Sequence, residues 1–432
     1  MKHLPSRSVG VLVAGALLST ALAACSSSEG SGASTENGVT TLELWTHNGG
    51  NVDELAINQQ VVDDFNASQS DYKVKLQSFP QDAYNQAIVA AAAAKKLPCV
   101  LDVDGPNMPN WAWAGYLEPL DLPASVTEGQ LPSTLGTLND TLYSVGNYDV
   151  SLNLMTRRST LDKYDIRVPT MERPWTATEF NEALAKLKAG GEWKYPFDLG
   201  TAGGGEWIPY AYSPILQSFG GDLINRDTNT SADDALNGPA ALSWAHWFQD
   251  LISQGYVAKK SGADSTLDFI NGKSAIVWSG SWASAQVSAK FDDVLFLPPV
   301  DFGNGPKIGG ASWQWAESSD CAAKDGASAF LAFSLQDKYR ALYSEKLGLI
   351  PASESAAALT KDYAPDGKYR FFYDYAQKYA VQRPVTPAYP FISSVFQKAY
   401  ADIIAGGDAQ EVLDKAVEDI DNNIKQNGDY AF

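Results

Sequence analysis

The chain is poor in the side chains that most often bind metals or form nucleophile and base pairs. Only three cysteines and three histidines occur among its 432 residues. A metal site needs three or four ligands held close together, and these residues are too few and too scattered to supply them. The sequence also lacks a nucleophile elbow and a paired-histidine zinc motif. It therefore predicts neither a metal nor a cofactor.

Basic residues are scarce as well. Lysine and arginine number 32 against 51 aspartates and glutamates, for a formal net charge of −19. After removal of a leader that carries Lys2 and Arg7, 30 basic residues remain against 51 acidic ones, for a net charge of −21. So acidic a chain is a poor partner for nucleic acid or anionic lipid headgroups. Charged residues make up only 19% of the chain and apolar residues 45%, which is enough apolar material for two packed lobes.

Long apolar runs are missing after the first residues. The stretch 9–24 is apolar, but it is too short and too rich in small residues for a good membrane span. It ends in "LAAC", the pattern of a bacterial lipoprotein signal. We predict a signal peptide at 1–24, lipidation of Cys25 and a flexible Ser/Gly tether at 25–38, which reaches roughly 20 Å. An ordinary signal peptide followed by an unrelated cysteine is the alternative.

The remaining cysteines form an even pair. A lipidated protein is held at the extracellular face of the membrane, which is an oxidising compartment. There, a disulfide between Cys99 and Cys321 is favoured over a metal site. Such a bond joins distant parts of the chain in one lobe. The chain must then leave that lobe and return to it.

The order of predicted elements indicates an α/β fold. The strands "TLELWTH", "YKVKLQSF" and "CVLDVDG" alternate with helices before residue 106. This alternation is the signature of a lobe with a mainly parallel sheet. Beyond about Ser159 the pattern becomes richer in helices. The chain is expected to cross between two lobes near residues 148–151, 309–312 and 355–365.

Tryptophan, in contrast, is abundant. Twelve are present, some in clusters such as "NWAW" and "SWQW". An aromatic face stacks on the C–H face of a sugar ring, and planar carboxylates and amides bind the sugar's hydroxyl groups. Each tryptophan taken singly is better explained as core. Their clustering with aspartate, glutamate and asparagine at predicted strand ends and loops favours a ligand cleft.

Patterns typical of enzymes are weaker. The string "GKS" at 272–274 ends like a phosphate-binding loop, but position 267 is leucine instead of glycine, and a strand follows. "AGGGEW" lacks the strand context of a dinucleotide fingerprint, so a turn is predicted there. A secreted glycoside hydrolase that uses Asp149 and Glu206 remains an alternative, although many acid pairs could be nominated.

The lipobox "LAAC", the strand "LELWTH", the segment "GKSAIVWSGSW" and the C-terminal run from "RPVTPAYPF" to "DAQEVLDKAVEDID" together resemble one family. These motifs are similar to those of bacterial extracellular solute-binding proteins of the sugar ABC-importer type, which are maltose-binding-like. The resemblance implies a two-lobed α/β fold, the type II periplasmic-binding-protein fold, with the ligand cleft between lobes joined by crossing strands. The N-terminal lobe is expected at 39–148 plus 311–360, and the C-terminal lobe at 149–310 plus 361–432.

The resemblance also implies where the ligand binds. Trp282 is the ring expected to stack on a sugar, and Asp149 sits where the family often has a sugar-binding acid. The candidate ligand-binding residues carried over from the matching motifs are His47, Asn48, Asp104, Asn107, Trp111, Tyr148, Asp149, Glu206, Trp207, Trp282, Gly310, Ser312, Trp313, Arg383, Tyr389 and Phe391.

The implied function is that of a monomeric, non-catalytic receptor. It binds an oligosaccharide and delivers it to the ABC permease subunits when its hinge closes. A lipid anchor in place of a free periplasmic form indicates a Gram-positive source. The "DGPN" loop departs from that of the best-known maltodextrin binders, so the identity of the sugar stays open. A polyamine or peptide ligand on the same fold is a further alternative.

Overall fold

The computed structural model describes residues 32–431 and shows two lobes with a cavity between them. The α/β class predicted from the sequence is confirmed. The signal peptide, Cys25 and the start of the tether lie outside the described residues. None of the helices in the described range is long and apolar enough to cross a membrane.

The strands follow one another along the whole described chain. They are β1 (Ala33–Glu36), β2 (Val39–Thr46), β3 (Tyr72–Ser78), β4 (Val100–Asp104), β5 (Leu135–Leu138), β6 (Thr141–Val145), β7 (Tyr148–Asp149), β8 (Leu152–Arg157), β9 (Phe197–Asp198), β10 (Ile276–Gly280), β11 (Val294–Leu297), β12 (Ile308–Gly310), β13 (Trp313–Glu317), β14 (Ile350–Pro351) and β15 (Ala380–Gln382).

The helices lie between these strands and become denser toward the C-terminus. They are α1 (Val52–Ser68), α2 (Gln81–Ala93), α3 (Met108–Trp113), α4 (Ala124–Thr127), α5 (Arg158–Lys163), α6 (Ala177–Ala189), α7 (Trp207–Phe219), α8 (Pro239–Ser253), α9 (Ser265–Ile270), α10 (Ser284–Lys290), α11 (Lys324–Ser334), α12 (Asp337–Leu347), α13 (Glu354–Ala358), α14 (Arg370–Tyr379), α15 (Tyr389–Ala405) and α16 (Ala409–Gln426).

The first lobe is built on a sheet with β2 near one side. β3 runs parallel along one edge of β2, and β4 runs parallel along the other. β13 then joins β4 in the antiparallel sense, and β6 and β5 complete the sheet. Because β2 and β4 are parallel, their carboxyl ends meet at one edge, where open α/β sheets place their ligands. His47 and Asp104 stand at that edge.

The predicted tether does not extend to residue 38. Strand β1 pairs antiparallel with the start of β2. The turn between them is Asn37-Gly38, and both residues have positive φ, at 51° and 81°. An Asn-Gly pair in this conformation makes the two-residue turn that best fits the twist of a hairpin. The sequence "ENGV" thus carried a hairpin signal that the Ser/Gly composition around it obscured.

The second lobe has a smaller sheet in the order β11-β8-β10-β9. Only the β9–β10 pair is parallel among its described pairs. Helices cover it, and their ends follow the sequence signals. Thr176 and Glu179 form a capping box at the start of α6, which ends before Gly190. Asp408 caps α16 by accepting the amide of Glu411.

Short strand pairs carry the chain between the lobes. β7 pairs with β14, and β12 pairs in parallel with β15. The buried Leu349 belongs to the core of the first lobe, whereas Ile350 and Ala357 belong to the core of the second. Leu349 and Ile350 thus pack into different cores where the chain passes from one lobe to the other.

Cys99 and Cys321 are joined by a disulfide in the core of the first lobe. Cys99 precedes β4, and Cys321 follows β13. In the antiparallel pair of β4 and β13, Val100 lies opposite Glu317 at this end and Asp104 lies opposite Trp313 at the other. The disulfide thus fixes the end of the strand pair that points away from the cavity between the lobes.

Candidate functional site

A cavity of about 520 Å³ lies between the lobes. Its size falls within the range of small-molecule sites in proteins. Both lobes and the crossing segments contribute to its wall. The lining residues are His47, Asn51, Glu54, Gln81, Asp104, Tyr148, Val150, Glu206, Trp207, Tyr210, Trp282, Ala311, Ser312, Trp313, Leu347, Leu349 and Arg383.

The second lobe supplies an aromatic wall, formed by Trp207, Tyr210 and Trp282. The ring centroid of Trp282 is 6.5 Å from that of Trp207 and 6.4 Å from that of Tyr210. Trp282 is 39% exposed, which is unusual for so large an apolar side chain. The aromatic wall thus presents an apolar surface to the cavity, while Tyr210 and Trp207 also pack against the core of the second lobe.

Glycines allow these rings to lie against the backbone. A Cβ atom added at Gly203 would stand 2.4 Å from Cδ1 of Trp207, and one at Gly280 would stand 2.0 Å from Cζ3 of Trp282. The Trp207 indole also donates to the carbonyl of Gly200 at 3.1 Å. The "AGGGEW" segment, predicted as a turn, is the loop that seats Trp207 before α7 begins.

Replacing Gly280 by alanine is expected to weaken ligand binding about tenfold with little loss of stability. The backbone at Gly280, with φ of −119°, suits any residue, so only the Trp282 ring must move. Titration calorimetry with a bound ligand measures the effect. Gly204→Ala is the matched control, because a Cβ there meets no described atom within 4 Å. Equal affinities for both variants would contradict this role of Gly280.

The first lobe supplies a polar wall centred on His47. Its Nδ1 atom makes a short contact with the carboxylate of Asp102, and its ring stacks on Trp313 with centroids 3.6 Å apart. Burial disfavours the charged imidazole, but Asp102 and then Glu54 outweigh it, and the pKa of His47 is raised. Glu54 accepts from the Tyr148 hydroxyl at 2.6 Å. The wall is therefore rigid and acidic.

Arg383 ties the two lobes together. It donates to Oε1 of Glu206 at 2.7 Å and to the carbonyl of Ala311 at 2.9 Å. Its guanidinium also lies 5.0 Å above the ring of Tyr210. Burial opposes its charge, but Glu206 and Asp104 reverse this, and the pKa of Arg383 is raised. Nη1 and Nη2 of Arg383 are thus engaged by the protein, while its buried Nε has no partner among the described residues.

Asp104 is an acid of the cavity whose carboxylate lacks hydrogen-bond donors among the described residues. No side chain or amide between residues 32 and 431 donates a hydrogen bond to its carboxylate, and the nearest cation is Arg383, whose Nη2 lies 3.9 Å away. Its side chain is only 13% exposed. Burial raises the pKa of Asp104 to about 7; the positive Arg383 opposes this, and the negative Glu206 adds to it. The group is therefore available to a donor from a ligand.

This carboxylate makes the stability of the ligand-free protein depend on pH. Because the pKa of Asp104 in the folded state, about 7, exceeds its ordinary value of 3.8, its stabilising contribution is present below pH 4 and is lost as the pH rises through 7. We expect Asp104→Asn to gain about 2 to 4 kcal/mol in free energy of unfolding relative to the wild type between pH 4 and pH 8. Urea denaturation of both proteins across this range measures the gain. A difference that stays constant with pH would contradict it.

The structure brings most of the predicted site residues to one cavity. His47, Asp104, Tyr148, Glu206, Trp207, Trp282, Ser312, Trp313 and Arg383 all line it. Tyr389 is fully buried behind it, with its hydroxyl on Glu206. Asn48 is buried as well and accepts from Asn58 at 2.6 Å. These two support the wall instead of forming its surface.

Other predicted residues lie elsewhere. Trp111 is 3% exposed and packs in the core of the first lobe, because α3 turns Trp111 inward and leaves Trp113 outside. Phe391 is 37% exposed, in the first turn of α15 and apart from the cavity lining. Asn107 ends a short 3-10 turn before α3. Gly310 belongs to the crossing strand, where an added Cβ would stand 3.0 Å from that of Ala380.

Asp149 does not stand in the cavity either. It is fully buried in the crossing strand β7 and accepts from the Ser133 hydroxyl and from the Val150 amide. Burial raises its pKa to about 6, against the effect of these two donors. A carboxylate buried in this way cannot flank a glycosidic bond, so the structure contradicts the pairing of Asp149 with Glu206 as hydrolase acids.

Several lining residues were not predicted from the sequence. Tyr210 could have been found, because it lies three residues after Trp207 and hence on the same face of α7. Asn51 and Glu54 open α1 directly after the His47 loop. Gln81, Val150, Ala311, Leu347 and Leu349 give no such signal. Within the described range, no group of three histidine, cysteine or acidic side chains could hold a metal ion.

Similar protein structures share the fold. The GacH receptor of Streptomyces glaucescens, solved without ligand and with acarbose, is 21% identical with a TM-score of 0.74, over 90% of this chain and 99% of its own. A cyclic α-maltosyl-1,6-maltose-binding protein from Arthrobacter globiformis is 23% identical with a TM-score of 0.75, over 90% of this chain and 100% of its own.

Sequence comparison adds relatives and a family. The sn-glycerol-3-phosphate-binding periplasmic protein UgpB of Yersinia enterocolitica is 26% identical over 75% of this chain and 76% of its own length. An uncharacterized lipoprotein encoded in the oleD 5' region of Streptomyces antibioticus is 24% identical over 66% of this chain and 65% of its own length. The family model described as bacterial extracellular solute-binding protein matches residues 60–370, more than half of the chain. This chain belongs to the bacterial extracellular solute-binding proteins.

Proposed function

We propose that this protein is a non-catalytic receptor for an oligosaccharide. It binds the sugar in the cavity between its lobes and presents it, on hinge closure, to the permease of an ABC importer. Closure is favoured by ligand because the sugar gains contacts with the second lobe that the open state lacks. The cavity volume of about 520 Å³ suits a ligand of more than one sugar unit.

The aromatic wall facing polar groups is the observation that carries this proposal. The rings of Trp207, Tyr210 and Trp282 line one side of the cavity, while Asp104 and His47 line the other. A sugar has an apolar C–H face and a hydroxyl rim, and these two walls complement them. Carbohydrate ligands in the names of the two structural neighbours agree with this assignment.

Catalysis finds less support than binding. A glycoside hydrolase needs two carboxylates on either side of the scissile bond. Glu206 is already engaged by Arg383 and by the hydroxyls of Tyr389 and Ser393, and Asp149 is buried elsewhere. The family and its structural neighbours are binding proteins. The site thus fits a receptor better than it fits a hydrolase, which would need two available carboxylates.

A thermal-shift screen against neutral mono- and oligosaccharides tests the proposal. A ligand at 100 times its Kd adds about 2.7 kcal/mol to apparent stability, so a binding sugar should raise the Tm measurably. The same mixtures are assayed for newly released reducing ends. Stabilisation without cleavage is expected. Cleavage would establish the hydrolase instead, and no response to any saccharide would refute the receptor.

The anchoring of the protein is proposed separately. We infer that a lipid on Cys25 holds the monomer at the extracellular face of a Gram-positive membrane, beside the permease. Because β1 begins at Ala33, residues 26–32 lie between the lipidated cysteine and the first strand. In cells, Cys25→Ser should move the protein from the membrane fraction to the medium. An unchanged distribution would rule out this anchor.

A further inference from the structure

The cavity has an excess of negative charge. Three carboxylates line it, those of Glu54, Asp104 and Glu206, against one guanidinium and one imidazole. The imidazole of His47 is itself paired with the carboxylate of Asp102 behind it. Lysine is absent from the lining residues of the described chain. A buried charge without a partner is costly. The residues that line the cavity therefore favour a ligand that brings positive charge.

One of these acids differs from the others in receiving no hydrogen bond at all within the described chain. Glu54 accepts from Tyr148 and from Asn51, Asp102 is held by His47, and Glu206 is held by Arg383 and two hydroxyls. Asp104, by contrast, receives no hydrogen bond from any residue in the range 32–431. A donor from a ligand would therefore supply a hydrogen bond that this carboxylate lacks.

The surroundings of Asp104 suit a cation better than an anion. The guanidinium of Arg383 lies over the ring of Tyr210. The imidazole of His47 stacks on Trp313. Aromatic faces attract cations. Arg383 donates from Nη1 to Glu206 and from Nη2 to Ala311, which leaves only its buried Nε without a partner among the described residues. A single free Nε–H is not the pair of donors with which an arginine holds a phosphate in the bidentate manner.

We propose that the saccharide carries a protonated amine and binds with this ammonium group against the carboxylate of Asp104. This inference rests on the proposed function and names its substrate class, an amino sugar. The ammonium supplies the donor that Asp104 lacks and the positive charge that the cavity lacks, while the sugar ring occupies the aromatic wall. The same charge balance excludes phosphorylated ligands from the site.

Calorimetry with matched ligand pairs tests this inference. Mono- and disaccharides of glucosamine and galactosamine are compared, at neutral pH, with their N-acetylated forms, which have the same ring and no charge. We expect the best free-amine ligand to bind at least tenfold more tightly than its N-acetylated partner. We expect sn-glycerol 3-phosphate to show no binding. Equal affinities within every pair, or binding of the phosphate, would overturn the inference.

A charge-neutral variant locates the effect. Asp104→Asn keeps the shape of the side chain, and the ratio of amine to N-acetyl affinity should fall to within about threefold of one. Glu317→Gln is the control and should keep the ratio. Glu317 is a buried acid at the far end of the same strand as Trp313, and burial raises its pKa to about 7 as well. A ratio that survives in Asp104→Asn would overturn the assignment to Asp104.

The arms of the experiment also separate the two proposals. If neutral saccharides bind and the amine brings no advantage, the charge inference fails while the receptor function stands. If spermidine binds and every saccharide fails, both are wrong, and the cavity is a polyamine site. If no ligand in the panel binds, the inference fails together with the receptor function.

Discussion

Replacing Trp282 by alanine is expected to weaken saccharide binding roughly 10- to 100-fold and to leave the fold intact. The ring is 39% exposed to the cavity, so its loss opens little space in the core. Stacking on a sugar face contributes about 1.5–3 kcal/mol through burial and ring geometry, and about 1.4 kcal/mol is a tenfold change in Kd. Calorimetry gives the change in Kd, and circular dichroism reports the fold.

A second tryptophan of the same lobe provides the control. Trp193 is half-buried beside Tyr164, with ring centroids 6.0 Å apart, and lies away from the cavity lining. Its replacement by alanine should leave saccharide affinity within about twofold of the wild type, since surface changes have small effects. If Trp282→Ala unfolds the protein, or if both variants bind alike, Trp282 is a structural residue and the aromatic wall is not the binding surface.

Removal of Arg383 should have the largest effect on stability. Arg383→Met is expected to lower the free energy of unfolding by about 3–5 kcal/mol, because it leaves the buried Asp104 and the partly buried Glu206 without their common cation. Adding Glu206→Gln to this variant should recover part of the loss, since one stranded charge is then removed. Urea denaturation at pH 7 measures each variant.

An arginine whose acidic partners are exposed offers the comparison for this effect. Arg370 pairs with Glu354 and Asp374 at the surface, and such pairs contribute about 0–1 kcal/mol. Arg370→Ala should therefore lower stability by less than about 1 kcal/mol. Equal losses in the Arg383 and Arg370 variants would show that Arg383 is not the link between the lobes that its contacts indicate.

The sequence predicted site residues best where these residues lie at the ends of predicted strands. The parallel strands β2 and β4 were recognisable, and their carboxyl ends deliver His47 and Asp104 to one edge. The α/β class and the two lobes followed from the order of elements and from the family resemblance. The glycines of "GGGEW" and "GSW" could be noticed, but not their purpose, since the close approach of each ring to the backbone appears only in three dimensions.

The errors have a common physical cause. Trp111 and Trp113 are two residues apart, and only the rotation of the short helix α3 decides which ring is buried. Asp149 was assigned from its place in the motif, while its burial depends on the pairing of β7 with the distant β14. The sequence also did not predict that Asp104 receives no hydrogen bond among the described residues. That property follows from Arg383, which donates to Glu206 and to the backbone instead of to Asp104.

A crystal structure of the protein with the saccharide that most raises its Tm is the most direct test of the central claim. We predict one sugar chain in the cavity between closed lobes, with a ring face against Trp282 and a donor group on Asp104. A sugar bound elsewhere, for example in the surface pocket beside Trp193 and Lys273, with the cavity between the lobes unfilled, would contradict it.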